Sequence, residues 1–310
     1  MTSRILVIAL NTYREAVRAR LLIGVFGLAL ATCFYAVVVG AFSLHNEVRV
    51  VADLGAASLS LYGVLIAVVL GSTSLYRELE HKTVFPILSR PIRRWEYLVG
   101  KYLGTMLTVT VFVATDTAAI LGTLALEAGQ STSKVVAPFV AMLGVLGIAV
   151  ARARYRRVFV AIPWSVMFAV VMWSVASPAL EDRQLVVAGA LLSISEVAIV
   201  AALATLFASF SSPFLTATFT AGVFAIGRSS DMLAHIPKKM FGEAVALGFA
   251  GIARVVPNLH VYVPPRPLLL GQVAGQPVWR YVGFAAVHAA FYVTALLVGG
   301  SLAFRKRDFS

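Results

Sequence analysis

Residues 21–44 read LLIGVFGLALATCFYAVVVGAFSL, a stretch without a single charged side chain. An α-helix rises about 1.5 Å per residue, so about 20 apolar residues cross the hydrocarbon core of a bilayer. The stretch is too long for the apolar part of a signal peptide, and no small-residue cleavage site closes it. We therefore expect it to be a retained first membrane span.

The whole chain shares this apolar character. Hydrophobic residues make up 60% of its 310 residues and charged residues 13%, against about 45–50% and about 25% in soluble domains. Lipid offers no partner to free backbone N–H and C=O groups, so the spans must be helical. We predict a single all-α domain over 1–310, a polytopic membrane bundle of about eight spans at 21–44, 55–76, 102–126, 135–151, 158–179, 185–209, 213–228 and 280–304.

The basic residues indicate an orientation. The formal charge is +12, and 17 of the 26 lysines and arginines fall within 4–20, 77–101, 152–157 and 305–307. Basic loops mark the cytoplasmic side of a membrane protein. We therefore expect both termini to be cytoplasmic, an even number of spans, and a location in the inner (cytoplasmic) membrane. No basic-and-aromatic stripe points to nucleic acid.

Two segments lie outside the predicted spans. Residues 1–20 form an amphipathic pattern with Leu6 and Tyr13 on one face and Arg14 on the other, which is typical of a helix in the membrane interface, in contact with lipid. Residues 229–279 contain six prolines, which argue against a continuous span. We expect them to form a re-entrant cap on the non-cytoplasmic side.

The loop between the second and third spans, 77–101, is densely charged yet contains Phe85, Ile92 and Trp95. Such apolar residues are typical of a loop that docks on a protein partner, where aromatic and arginine side chains are the usual anchors. They fit equally well a loop whose apolar side chains face lipid. From the residues alone the two readings remain open.

The order of residues in this loop resembles the first cytoplasmic loop of ABC-2 type permeases, especially the nitrous-oxide-maturation and gliding-motility group. An acidic pair is followed by a basic residue and threonine, a leucine-containing turn, a basic residue with proline, an arginine, a glutamate and a Gly-Lys pair. Weaker similarities lie at 11–18, 210–214 and 304–309. In this chain the loop motif is carried by Glu78, Glu80, Lys82, Thr83, Leu88, Arg90, Pro91, Arg94, Glu96, Gly100 and Lys101.

This resemblance implies a permease subunit that pairs with a second copy or a paralogue and docks on a separate ABC ATPase subunit. The partner would bind ATP and Mg, and this chain would bind no cofactor. Such permeases usually have six spans, so 135–179 would be an inserted pair of helices. The resemblance implies docking by a coupling loop at Glu78, Glu80, Thr83, Phe85, Arg90, Pro91, Arg94, Trp95, Glu96 and Lys101.

Other motifs argue against some functions. The chain has no phosphate-binding loop of the G-x-x-x-x-G-K-[ST] type, so we do not expect it to be an enzyme that hydrolyses ATP itself. The histidines show no metal-ligand spacing, and the single cysteine, Cys33, is expected to be a packing residue. The alternative to a permease is a secondary carrier that needs no ATPase.

Two acidic residues, Asp116 and Glu196, fall within predicted spans. A charge at mid-membrane costs about 2.5–3.5 kcal/mol on insertion scales, so it is expected to face a cavity or a partner. Both are therefore candidates for a translocation path. Alternatively, each is protonated or capped by neighbouring hydroxyls, Thr115 and Thr117 in one case and Ser193 and Ser195 in the other.

Overall fold

The fold is known from a computed structural model, which describes residues 2–19, 21–43, 46–80, 93–153, 156–234, 248, 251, 256–269, 272 and 277–305. Of residues 2, 3, 21, 75–80, 234 and 305 it describes the backbone only. Every regular element in the described residues is helical. They are α1 Thr2–Arg18, α2 Leu21–Gly40, α3 Glu47–Glu80, α4 Arg94–Glu127, α5 Thr132–Arg152, α6 Ala161–Val175, α7 Leu180–Ala208, α8 Pro213–Arg228, α9 Ser230–Ala234, α10 Arg266–Leu269 and α11 Val278–Arg305.

Seven helical segments of the described chain are long and apolar enough to cross a membrane, which supports the predicted multi-pass helical bundle. They are α2, α3, α4, α5, α6 with the 3-10 turn Arg157–Val160 that precedes it, α7 and α11. The remaining predicted span, 213–228, is a helix, α8, of 16 residues. At 1.5 Å per residue it is about 24 Å long, less than the roughly 30 Å of a hydrocarbon core. The count of eight spans stays a prediction.

The centre of the bundle is formed by α3, α4 and α7, and small residues bring these helices close together. A methyl group placed on Gly71 of α3 would lie 2.5 Å from Cβ of Ala204 on α7. One placed on Gly55 would lie 2.6 Å from Ile120 on α4. Close approach through small residues is the usual way in which membrane helices pack, because lipid chains compete with larger side chains.

Helix α1 packs along the beginning of α4. A methyl group on Gly104 would lie 2.5 Å from Cβ of Thr12, and one on Gly100 would lie 2.7 Å from Cβ of Ile8. Tyr13 is fully buried, its hydroxyl donates to the carbonyl oxygen of Val158 at 3.2 Å, and burial raises the pKa of its phenol to about 12. One face of α1 thus packs against protein, and its interfacial position in a membrane stays a prediction.

The hairpin of α5 and α6 packs against the outside of α4. Its two helices are joined by an indole hydrogen bond from Trp164 to the carbonyl oxygen of Met142, 2.7 Å long, and by an edge contact of Phe139 with Phe168. Met172 of α6 fills the space beside Gly122 of α4. The two helices overlap the predicted pair 135–179, and whether the pair is an insertion stays a prediction.

Both described ends of the chain lie at one end of the bundle. Phe304, near the end of α11, is buried, stacks on Tyr97, and accepts a hydrogen bond from Arg94 at its carbonyl oxygen. Helix α1 packs against the same part of α4. The opposite end of the bundle contains the beginnings of α3 and α7, which Arg266 of α10 joins.

Candidate functional site

Glu196 lies in the middle of α7 and is fully buried. Its Oε2 accepts a hydrogen bond from the Ser60 hydroxyl at 2.6 Å, and its Oε1 accepts one from the guanidinium of Arg228. The Arg228 guanidinium also donates to the Ser60 oxygen at 3.4 Å. A buried carboxylate needs this type of neutralisation because desolvation of an unpaired charge is very costly. The three residues form a closed network that links α3, α7 and α8.

The position of Arg228 follows from the length of α8. Arg228 is the last residue of that helix and meets Glu196, which lies 12 residues, or about 18 Å, before the end of α7. Helix α8 therefore ends inside the bundle. The space beyond it is filled by residues 257–262, whose first carbonyl oxygen, that of Pro257, would lie 2.7 Å from a methyl group on Gly227.

Residues 259–262 form a 3-10 turn that reaches the side of α11. The Tyr262 hydroxyl lies 2.8 Å from Nδ1 of His288 and 3.3 Å from the carbonyl oxygen of Ala285. His288 is ten residues after the start of α11, which corresponds to about 15 Å along the helix. The described part of the predicted cap thus enters the bundle; residues 235–247 and most of 249–255 lie outside the described chain, and the cap as a whole stays a prediction.

A cavity of about 260 Å³ lies between α3, α7, α8 and residues 262–269. Much of its wall is apolar and comes from Ala56, Leu185, Leu192 and Leu269. Its polar lining groups belong to Asp53, Ser60, Ser193, Arg228, Tyr262 and Arg266. Glu196 does not itself line the cavity, but both of its partners do.

Arg266 connects α10 to the beginnings of α3 and α7. Its guanidinium donates to Oδ1 of Asp53 at 2.5 Å and to Oδ1 of Asp182. Asp53 is half-exposed and also lies 3.7 Å from Nε of Arg49. Because Arg266 and Asp53 line the cavity, this bridge forms part of its wall and fastens α10 across it.

Asp116, the second predicted path residue, lies on α4 away from this network. It is buried, 3.4 Å from the Ser58 hydroxyl and 4.0 Å from the sulfur of Cys33. No basic side chain pairs with Asp116 in the described part of the chain. The structure therefore does not bring Asp116 and Glu196 into one site.

The hydroxyl partners of both carboxyl groups come from α3 and not from sequence neighbours. Thr115 and Ser195 donate to backbone carbonyl oxygens of their own helices. Thr117 and Ser193 make no hydrogen bond among the described residues. The hydroxyl groups nearest to Asp116 and Glu196 are therefore those of Ser58 and Ser60, and not those of their neighbours in sequence.

The predicted docking residues fall into two groups. Thr83, Phe85, Arg90 and Pro91 lie outside the described residues, and the side chains of Glu78 and Glu80 are not described. The other four, which lie at the beginning of α4, have described side chains: Arg94, Trp95, Glu96 and Lys101. Their role in docking stays a prediction.

Two of these four are buried and have partners within the chain. Glu96 accepts a hydrogen bond from the backbone N–H of Arg93 at 3.0 Å, which caps α4. Lys101 lies 3.4 Å from a carboxylate oxygen of Glu15 on α1. Trp95 is only partly buried.

No protein-family model matches the chain, and a search of curated proteins finds no match.

Sequence reasoning missed Arg228 as the partner of Glu196 and missed Arg266 at the cavity. Arg228 ends a predicted span, where a basic residue is ordinary, and 32 residues separate it from Glu196. The available signal was Ser60, a residue of the second predicted span whose hydroxyl could donate to the buried Glu196 carboxylate. The glycine pair Gly100 and Gly104, with small-residue spacing, was a second unused signal for helix packing.

Proposed function

We propose that this chain is the membrane-spanning subunit of an ATP-driven transporter, coupled to a separate ATPase subunit and pairing with a second permease chain. The observation that carries the proposal is which helices the predicted coupling segment connects. Residues 81–92 lead from α3 to α4, two 34-residue helices at the centre of the bundle, and these helices carry Ser60 and Asp116. A partner that moves this loop would move both helices.

The beginning of α4 is built to transmit such a movement. The buried Glu96 caps the helix, Lys101 pairs with Glu15 of α1, and Arg94 and Tyr97 contact Phe304 of α11. The loop is therefore followed at once by a segment fastened to both described ends of the chain. This arrangement supports the loop's resemblance to the coupling loop of ABC-2 type permeases.

The proposed topology has eight crossings. Helix α8 and the re-entrant residues 256–269 together complete one crossing, so that both ends of the chain share a side. The basic residues near 4–20, 77–101 and 152–157 favour the cytoplasm for that side. The described cavity would then open on the non-cytoplasmic side, beneath the cap.

Purification from native membranes tests the assignment. The tagged chain should recover an ATPase subunit and show ATP turnover that depends on the complex. Trp95→Ala should reduce ATPase recovery about tenfold or more, since aromatic anchors dominate interfaces. Trp279→Ala, an exposed tryptophan at the other end of the bundle, is the matched control and should have no effect. Equal recovery with both variants would contradict docking at this loop.

The alternative function is a secondary carrier. The observation that favours it is Asp116, a buried carboxyl group that has no basic partner among the described residues, because ion-coupled carriers use such groups. Uptake into vesicles distinguishes the two: transport by an ABC permease needs ATP, whereas transport by a carrier follows an ion gradient and persists without ATP.

Orientation is tested separately by cysteine labelling in a Cys33→Ser background. Arg157→Cys and Glu181→Cys place exposed thiols at opposite ends of the bundle. An impermeant reagent added outside the cell should label position 181 and should reach position 157 only after the membrane is opened. The reverse pattern would show that the bundle is inverted.

A further inference from the structure

We propose that the cavity between α3, α7, α8 and α10 is a binding site for a small uncharged amphiphile that carries a hydrogen-bond acceptor, such as an amide or an ester. Its volume of about 260 Å³ lies just below the roughly 300–1,000 Å³ of small-molecule pockets. The site does not depend on the proposed transport function, because binding is measured on this chain alone.

Two residues that line the cavity, Ser193 and Arg228, have hydrogen-bond donors that the described protein does not use. Ser193 is 4% exposed and lines the cavity, yet its hydroxyl makes no hydrogen bond among the described residues. Arg228 uses one guanidinium nitrogen for Glu196 and Ser60. An arginine has five N–H donors, so the donors on its other two nitrogens are left without a partner in the described chain. Buried polar groups are normally satisfied, so the buried Ser193 hydroxyl indicates a ligand that supplies an acceptor. The Arg228 side chain is 31% exposed, so its remaining donors are open to the same ligand.

Charge balance determines which acceptor fits. Among the described residues, the guanidinium groups of Arg49, Arg228 and Arg266 are each paired with a carboxylate, and the carboxylates are those of Asp53, Asp182 and Glu196. Three positive and three negative charges leave the site neutral. An anionic head group would disturb the pairing of Arg228 with Glu196, and a cation would find no free carboxylate. A neutral carbonyl group accepts hydrogen bonds without adding charge.

The walls determine the rest of the ligand. Ala56, Leu185, Leu192 and Leu269 offer apolar surface, and the ring of Tyr262 closes one side because its hydroxyl bonds to α11. Burial of apolar surface contributes about 25 cal/mol per Å², so an alkyl segment gains affinity here that a wholly polar ligand does not. The ligand is thus a short amphiphile with its acceptor towards Ser193 and Arg228.

Photolabelling of the purified full-length chain in phosphatidylcholine nanodiscs tests this. Three probes share one eight-carbon chain with a diazirine and differ only in the head group: an amide, a carboxylate and an amine. We expect the amide to label cavity residues at a concentration at least tenfold lower than the other two. Equal or stronger labelling of the cavity by the carboxylate or the amine would overturn the assignment of an uncharged ligand.

Variants locate the site. Ser193→Ala should raise the half-saturating amide concentration about fivefold, the typical loss for one hydrogen bond, and it breaks no bond within the described protein. Ala57→Phe fills the cavity from an exposed lining position and should abolish labelling. Ser195→Ala, two residues along the same helix, is the control, because its hydroxyl bonds to its own backbone. Amide labelling unchanged in both Ser193→Ala and Ala57→Phe would overturn the site; if Ala57→Phe does not fold, Ser193→Ala decides alone.

Discussion

The central helices and the outer hairpin are similar in apolar content but opposite in burial. In the most apolar stretch of each helix, 72% of α4 and 67% of α7 are buried within the chain, against 11% of α5 and 22% of α6 with its leading turn. The hairpin therefore presents its apolar side chains outwards, as a lipid-facing element does. The centre can hold Asp116 and Glu196 because protein neighbours supply hydrogen bonds that lipid cannot.

Among the variants that test this difference in burial, Arg228→Ala should lower the stability of the protein most. Arg228→Ala leaves Glu196 buried without its charge partner, and loss of one member of a buried pair typically costs about 3–5 kcal/mol. We expect the free energy of unfolding, measured by denaturant titration in mixed micelles, to fall by that amount. The double variant Glu196→Gln with Arg228→Ala should recover most of the loss. A single variant as stable as the wild type would show that the pair is not a structural element of the centre.

A charge on the hairpin tests the other side of the comparison. Leu143 is an exposed residue near the middle of α5, so Leu143→Lys should cost about 2.5–3.5 kcal/mol in an insertion assay if lipid surrounds it. Leu143→Ala is the control and should change insertion and stability little, because few protein contacts are lost. Normal insertion of the lysine variant would indicate that protein or water covers this face.

Gly71 in the centre and Gly144 in the hairpin form a matched pair of positions, at which a larger side chain should change stability by different amounts. Gly71→Val places carbon atoms against Ala204 in the centre, and overpacking typically costs about 1–3 kcal/mol. Gly144→Val on α5 meets no atom within 4 Å and should leave the unfolding free energy almost unchanged. The same denaturant titration measures both. A loss of equal size at Gly144 would mean that the hairpin face is packed against another chain.

Hydropathy predicted the helices well and their contacts poorly, for a physical reason. The third and last spans, predicted at 102–126 and 280–304, lie within α4 and α11. The predicted spans 55–76 and 102–126 leave out the starts of α3 and α4, because Arg49, Asp53 and Glu96 are charged there. These residues lie in the polar ends of helices longer than the spans.

The need of Glu196 for a partner followed from its charge, but the identity of Arg228 could not be predicted. The pairing depends on where the end of α8 lies relative to α7. The hydrophobic periodicity of a single helix carries no information about that position. The burial of Glu96 and Lys101 was equally hidden, because it depends on the packing of α1 and on the cap of α4.

The smallest effect is expected where α1 meets α4. Glu15→Gln removes the ion pair with Lys101, but Glu15 is half-exposed, and pairs of this type contribute about 0.2–1 kcal/mol. Close packing at Gly104 and burial of Tyr13 hold α1 more strongly, so Gly104→Val should release α1 while Glu15→Gln should not. Protease access to the 1–20 segment in detergent, with the two variants side by side, measures this. If Glu15→Gln exposes α1 as much as Gly104→Val, the ion pair, and not helix packing, fastens the amino-terminal helix to the centre of the bundle.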